Sequence, residues 1–83
     1  STDIKSYIEN KLTYPDEAKK NLIEGFVVVA FHVEKDGSLD IEAINSNDSV
    51  FRRYIILRFM NLKWPDLKDV GKTLFYRFDF KLI

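Results

Sequence analysis

The run Phe26–Val33 reads Phe-Val-Val-Val-Ala-Phe-His-Val, with Gly25 before it and Lys35-Asp36-Gly37-Ser38 shortly after it. Successive residues of a strand point to opposite faces of a sheet. One face of this segment therefore carries Val27, Val29, Phe31 and Val33, and the other carries Phe26, Val28, Ala30 and His32. β-branched and aromatic residues suit a pleated, half-buried surface. A segment apolar on both faces needs a neighbour on each edge and cover over its side chains, which predicts a central strand over Phe26–Glu34. The Lys-Asp-Gly-Ser sequence is tight-turn chemistry, with Gly37 supplying the permissive backbone. The chain then returns through Leu39–Asn45, where Leu39, Ile41 and Ala43 share one face and Asp40 and Glu42 the other. The two segments read as a hairpin.

Other segments supply the remaining elements. In Thr73–Ile83, the residues Leu74, Tyr76, Phe78, Phe80 and Leu82 alternate with Thr73, Phe75, Arg77, Asp79 and Lys81. That alternation is the pattern of a strand with one buried and one wet face. Val50–Asn61 sets Phe51, Tyr54, Ile55, Arg58 and Phe59 at helical spacing, with Leu57 and Met60 beside them and Asp48 or Ser49 in the capping position. Near the start, Ile4, Tyr7, Ile8 and Leu12 form an apolar stripe along a helix over Asp3–Leu12, with Ser1 or Thr2 as its cap. Tyr14-Pro15 ends that helix, because the residue before a proline is pushed toward extended geometry. Pro15 opens a second, short helix in which Asp16 and Glu17 precede Lys19 and Lys20, the order a helix dipole favours. Gly25 is read as the terminator of that helix.

The predicted order is helix-helix-strand-strand-helix-strand. The connection through Val50–Asn61 is long enough to cross the hairpin and lay the last strand beside the first. The expected fold class is α+β: a three-stranded antiparallel sheet of order 2-1-3 with helices packed mainly on one face, forming a single domain over residues 1–83.

Composition narrows the function classes. Thirteen basic and thirteen acidic side chains give a formal net charge of zero, whereas a nucleic-acid binder needs a basic surplus for phosphate contacts. Nucleic acid is therefore not an expected partner. No apolar run approaches the roughly 20 residues that span a bilayer, so direct membrane insertion by this segment is not expected. The chain has no cysteine, so neither a disulfide nor a thiolate metal site is available to it.

Individual residues point to binding rather than chemistry. His32 is the only histidine, and alone it does not make the cluster that a metal site requires. No serine or threonine lies in a nucleophile-elbow context. No catalytic residue, metal or cofactor is assigned, and an enzyme is not expected. Trp64 is read as a core plug closing one end of the domain, and Arg52, Arg53 and Arg58 as a solvated helix face. With helices on one side of the sheet, the face bearing Phe26, Val28, Ala30 and His32 is left open. Phe75 and Ile44 extend this patch if the register allows, and contiguous exposed apolar area marks an interface.

Together these segments resemble the C-terminal domain of the TonB energy-transducing proteins. The matching residues are Tyr14-Pro15-Asp16-Glu17-Ala18, Ile23-Glu24-Gly25, the strand Phe26–Val33, the turn Glu34-Lys35-Asp36-Gly37-Ser38-Leu39, Lys63-Trp64-Pro65 and Gly71-Lys72. They cover about residues 12–82 in the family's order. The last strand departs from the family's usual pattern by lacking a proline. The resemblance implies a domain of the periplasm or cell envelope that binds another protein, the N-terminal segment of an outer-membrane transporter, by strand addition at the edge of the last strand. Carried onto this sequence, the partner-binding residues are Thr73, Phe75, Arg77, Asp79 and Lys81. The alternative is a self-associating structural or regulatory module of an envelope protein without an energy-transducing role, a homodimer joined through the face of Phe26, Val28, Ala30 and His32 or by edge-to-edge strands.

Overall fold

The computed structural model describes residues 3–82. Its elements are α1 (Ile4–Asn10), α2 (Asp16–Lys20), β1 (Gly25–Val33), β2 (Leu39–Ser46), α3 (Ser49–Met60), a 3₁₀ turn (Leu67–Asp69) and β3 (Thr73–Phe80). The strands form one sheet of order β2-β1-β3, and β1 is antiparallel to both neighbours. This is the expected α+β architecture with the doubly apolar strand in the centre.

The covered face is built from Val27, Val29, Phe31 and Val33 of β1 with Phe78 and Phe80 of β3, and they form one core with Ile4 and Ile8 of α1, Ala18 of α2 and Val50, Phe51, Ile55 and Phe59 of α3. Aromatic rings supply much of its bulk. Phe51 stacks on Phe80 at 4.6 Å, and Tyr14 meets both rings edge-on at 5.9 and 5.8 Å. Phe31 meets Phe59 edge-on at 5.1 Å. Offset-stacked and T-shaped pairs are the arrangements the ring quadrupole favours.

Short helices need tertiary anchors, since neither one nor two turns are stable alone. The Tyr7 hydroxyl of α1 donates to the Lys63 carbonyl at 2.6 Å, and the Arg58 guanidinium of α3 donates to the Lys11 carbonyl just beyond α1 at 2.8 Å. Arg58 is thus a tie between helices rather than part of a solvated face. Trp64 is buried as expected, and its indole N–H donates to Asp69 Oδ2 at 2.7 Å. The cap of α1 is Asp3, whose Oδ1 accepts from the Ser6 amide at 2.8 Å; Ser1 and Thr2 lie outside the described residues. Asp48 caps α3 by accepting from the Val50 amide.

The hairpin turn is closed by bonds from the Glu34 amide to Ser38 O and from the Gly37 amide to Glu34 O, both at 2.9 Å. Gly37 has φ +88°, and a Cβ there would come within 2.5 Å of the Trp64 carbonyl oxygen. Only glycine meets both demands.

Three further expectations need correction. First, Gly25 does not end α2, because it is already the first residue of β1. The left-handed position after α2 is taken by Leu22, φ 55°, with the Ile23 amide donating to Ala18 O and the Leu22 amide to Lys19 O. This pair of bonds is a Schellman motif built without glycine. Gly25 serves a close approach instead, since a Cβ there would meet Asn47 Oδ1 at 2.2 Å.

Second, Ala43 does not share a face with Leu39 and Ile41. The β1–β2 register shifts between Ala30 and Phe31: Ala30 pairs with Ala43, but Phe31 pairs with Ile41. Glu42 is the extra residue of a bulge. Beyond it the alternation inverts, so Ala43 is exposed while Ile44, opposite Val29, packs against the core. Ile44 therefore does not extend the open patch. Third, β3 ends at Phe80, so Lys81 lies past the strand.

Candidate functional site

Strands leave two edges, and the parity of the ladder decides which groups they present. Phe26 turns its main chain toward β2: its amide donates to Asn47 Oδ1 and its carbonyl accepts from Ser46 Oγ, both at 2.7 Å. Val33 turns the other way, its carbonyl accepting from the Gly71 amide at 3.0 Å. Along a strand these directions alternate with each residue. Odd-numbered β1 residues thus face β3, and their register partners Phe78, Tyr76 and Leu74 face back. The N–H and C=O groups of Thr73, Phe75, Arg77 and Asp79 are left pointing outward from the β3 edge.

The same four residues place their side chains on the open face, because they pair with His32, Ala30, Val28 and Phe26. Phe75 is 70% exposed and Val28 37%. Phe26 is covered in part by Arg77, whose guanidinium lies 4.4 Å from the ring centre while its Nε donates to Asp79 Oδ1 at 3.0 Å. That contact is a cation–π interaction on the face opposite the core. Beside the end of the edge runs a shallow groove of about 280 Å³ between α1 and β3, lined by Glu9, Leu12, Thr13 and Tyr14 on one side and Phe78–Lys81 on the other.

Compared with known protein families, residues 10–82 match the family described as Gram-negative bacterial TonB protein C-terminal. The chain belongs to the TonB C-terminal family. Among curated proteins no match is found. TonB C-terminal domains are non-catalytic interaction modules of the periplasm and cell envelope, and this chain is a protein-interaction domain of that kind. No helix among its described residues is long and apolar enough to cross a membrane.

The structure of this TonB C-terminal domain also brings together a group of residues that the sequence reading kept apart. On the open face, His32 Nδ1 donates to Glu42 Oε2 at 2.8 Å and Nε2 donates to Glu34 Oε1 at 2.7 Å, with Asp40 Oδ2 3.4 Å from Nε2. The Thr73 hydroxyl donates to the same Glu42 oxygen at 3.1 Å. Only the imidazolium form donates from both ring nitrogens. Accordingly the bond to Glu42, followed by the bond to Glu34, raises the His32 pKa above the ordinary histidine value. The hairpin register opposing Asp40 to His32 is readable from the turn. The arrival of Glu42 is not, because it depends on the bulge.

Proposed function

We propose that this TonB C-terminal domain binds an extended peptide as a fourth strand along β3. The outward main-chain groups of Thr73, Phe75, Arg77 and Asp79 carry this reading. An unpaired edge is a template for another strand, with main-chain bonds giving affinity and the flanking side chains giving selectivity. Phe75 offers apolar contact, Arg77 and Asp79 read charge, and the groove beside Leu12 and Tyr14 accepts side chains at the far end. Lys81 contributes charge from beyond the strand. The partner class is the N-terminal segment of an outer-membrane transporter, as the family assignment suggests. The test is titration of ¹⁵N-labelled protein with such a peptide. Saturable shifts at the amides of residues 73–79 are expected, and unchanged amides there at high peptide excess overturn the proposal for that peptide class.

The exposure of Phe75 beside Val28 and Phe26 favours a second reading, in which two copies pair through the open face. Sedimentation across concentrations distinguishes the two. A strict monomer up to about 1 mM, the weak end of specific association, excludes pairing.

A further inference from the structure

The hairpin end of the open face carries an arrangement that peptide binding does not use. His32 lies near the end of β1, Glu34 just past it, and Asp40 directly across on β2. His32 Nε2 and one carboxylate oxygen from each of the two acids lie within 4.8 Å of one another. Three carboxylates surround one imidazole, and among the described residues no lysine or arginine pairs with Glu34, Asp40 or Glu42. Even with His32 protonated, the local charge stays negative.

We propose that His32 Nε2, Glu34 and Asp40 form a binding site for a borderline divalent transition cation, with Glu42 as the positioning residue that holds Nδ1. In a tetrahedral zinc site with bonds of 2.0–2.1 Å, neighbouring donor atoms stand about 3.3 Å apart. Asp40 is already at that separation from Nε2, at 3.4 Å. Glu34, now at hydrogen-bond length, has to move outward by roughly half an ångström when the metal replaces the Nε2 proton. The proton passes to solvent, and the carboxylates stay ionised.

The donor set selects the metal. Magnesium and calcium prefer all-oxygen shells, whereas an imidazole suits zinc and its neighbours. A metal-bound histidine commonly donates its second ring N–H to a carboxylate, which fixes the tautomer. Glu42 stands in that relation to Nδ1 and is itself held by Thr73. The scaffold is rigid here, because the turn between Glu34 and Ser38 is closed by main-chain bonds. Glu34 and Asp40 are partly exposed, so water can reach the site and complete the shell.

The inference is independent of strand addition at β3 and is tested separately. Metal-free protein is titrated with Zn²⁺ while calorimetry and the ¹⁵N resonances of the imidazole are followed. One equivalent is expected to bind and to shift Nε2 rather than Nδ1, with Mg²⁺ at about tenfold higher concentration giving no shift. His32→Ala is expected to abolish the binding. Glu42→Gln is expected to weaken it by about 10–100-fold while leaving the fold intact. The double variant Glu34→Gln/Asp40→Asn, which keeps the histidine, also loses binding and stands in if His32→Ala fails to fold. Zinc binding of equal affinity in wild-type and His32→Ala protein, or binding without movement of the Nε2 resonance, overturns the site. Wild-type affinity in Glu42→Gln overturns the positioning role.

Discussion

Leu22 holds φ at 55° after α2 while its side chain is 79% exposed. A left-handed backbone costs an ordinary L-residue about 1–2 kcal/mol, which glycine avoids. The exposed leucine contributes little packing in return. Leu22→Gly is therefore expected to stabilise the domain by about 0.5–1 kcal/mol, once the larger unfolded-state entropy of glycine is subtracted. A rise in the urea midpoint at constant m-value is the readout. This position was not legible in the sequence. Gly25 stands three residues on and carries the usual signal for a helix end, which points to the wrong residue. Asp69 makes a second residue-scale case. The indole N–H of Trp64, then Lys72, stabilises its ionised form and lowers its pKa below the ordinary aspartate value. A depressed folded pKa gives stability that is fully present above the unfolded value and is lost as pH falls through the folded one. The urea midpoint of the wild type is thus expected to fall below about pH 4, the unfolded carboxylate range. Asp69→Asn keeps an acceptor for Trp64 but has no charge to lose, so its midpoint falls less over the same range.

Among elements, β3 was the most legible, because strict alternation over eight residues leaves one assignment. β2 was legible in its existence but not in its register. A bulge inserts one residue, and nothing in a single strand's own pattern says where the partner will fail to keep step. Alternation alone therefore misplaces Ala43 and Ile44, while Asp40 and Glu42 keep the face it gives them; the contact of Glu42 with His32 does not follow from it. The ladder parity of β3 makes a sharp prediction. Proline removes an N–H, which matters only where that N–H is bonded within the sheet. Arg77 turns its amide outward and Tyr76 turns its amide to β1. Arg77→Pro is expected to cost about 1 kcal/mol or less, and Tyr76→Pro about 3 kcal/mol or more. Denaturant unfolding of the two variants measures the difference, and similar losses in both would refute the assigned parity.

At the scale of the molecule, the domain is a slab 39 × 25 × 18 Å. That thickness is one sheet and one layer of helices, each about 10 Å deep. A two-layer domain of 83 residues has total stability of about 4–12 kcal/mol. Phe31 is fully buried between Phe59 and Tyr76, and Phe31→Ala removes about 3–5 kcal/mol. The variant is expected to melt at least about 12 °C below the wild type by circular dichroism, whereas Phe75→Ala on the open face keeps a wild-type melting curve within a few degrees, as a surface change does. β3 divides its labour by parity: even-numbered residues hold the core together, and odd-numbered ones present both their amides and their side chains outward. Substitution at the odd positions can accumulate with little penalty to folding, so a lineage is free to retune what this strand recognises while inheriting the same scaffold unchanged.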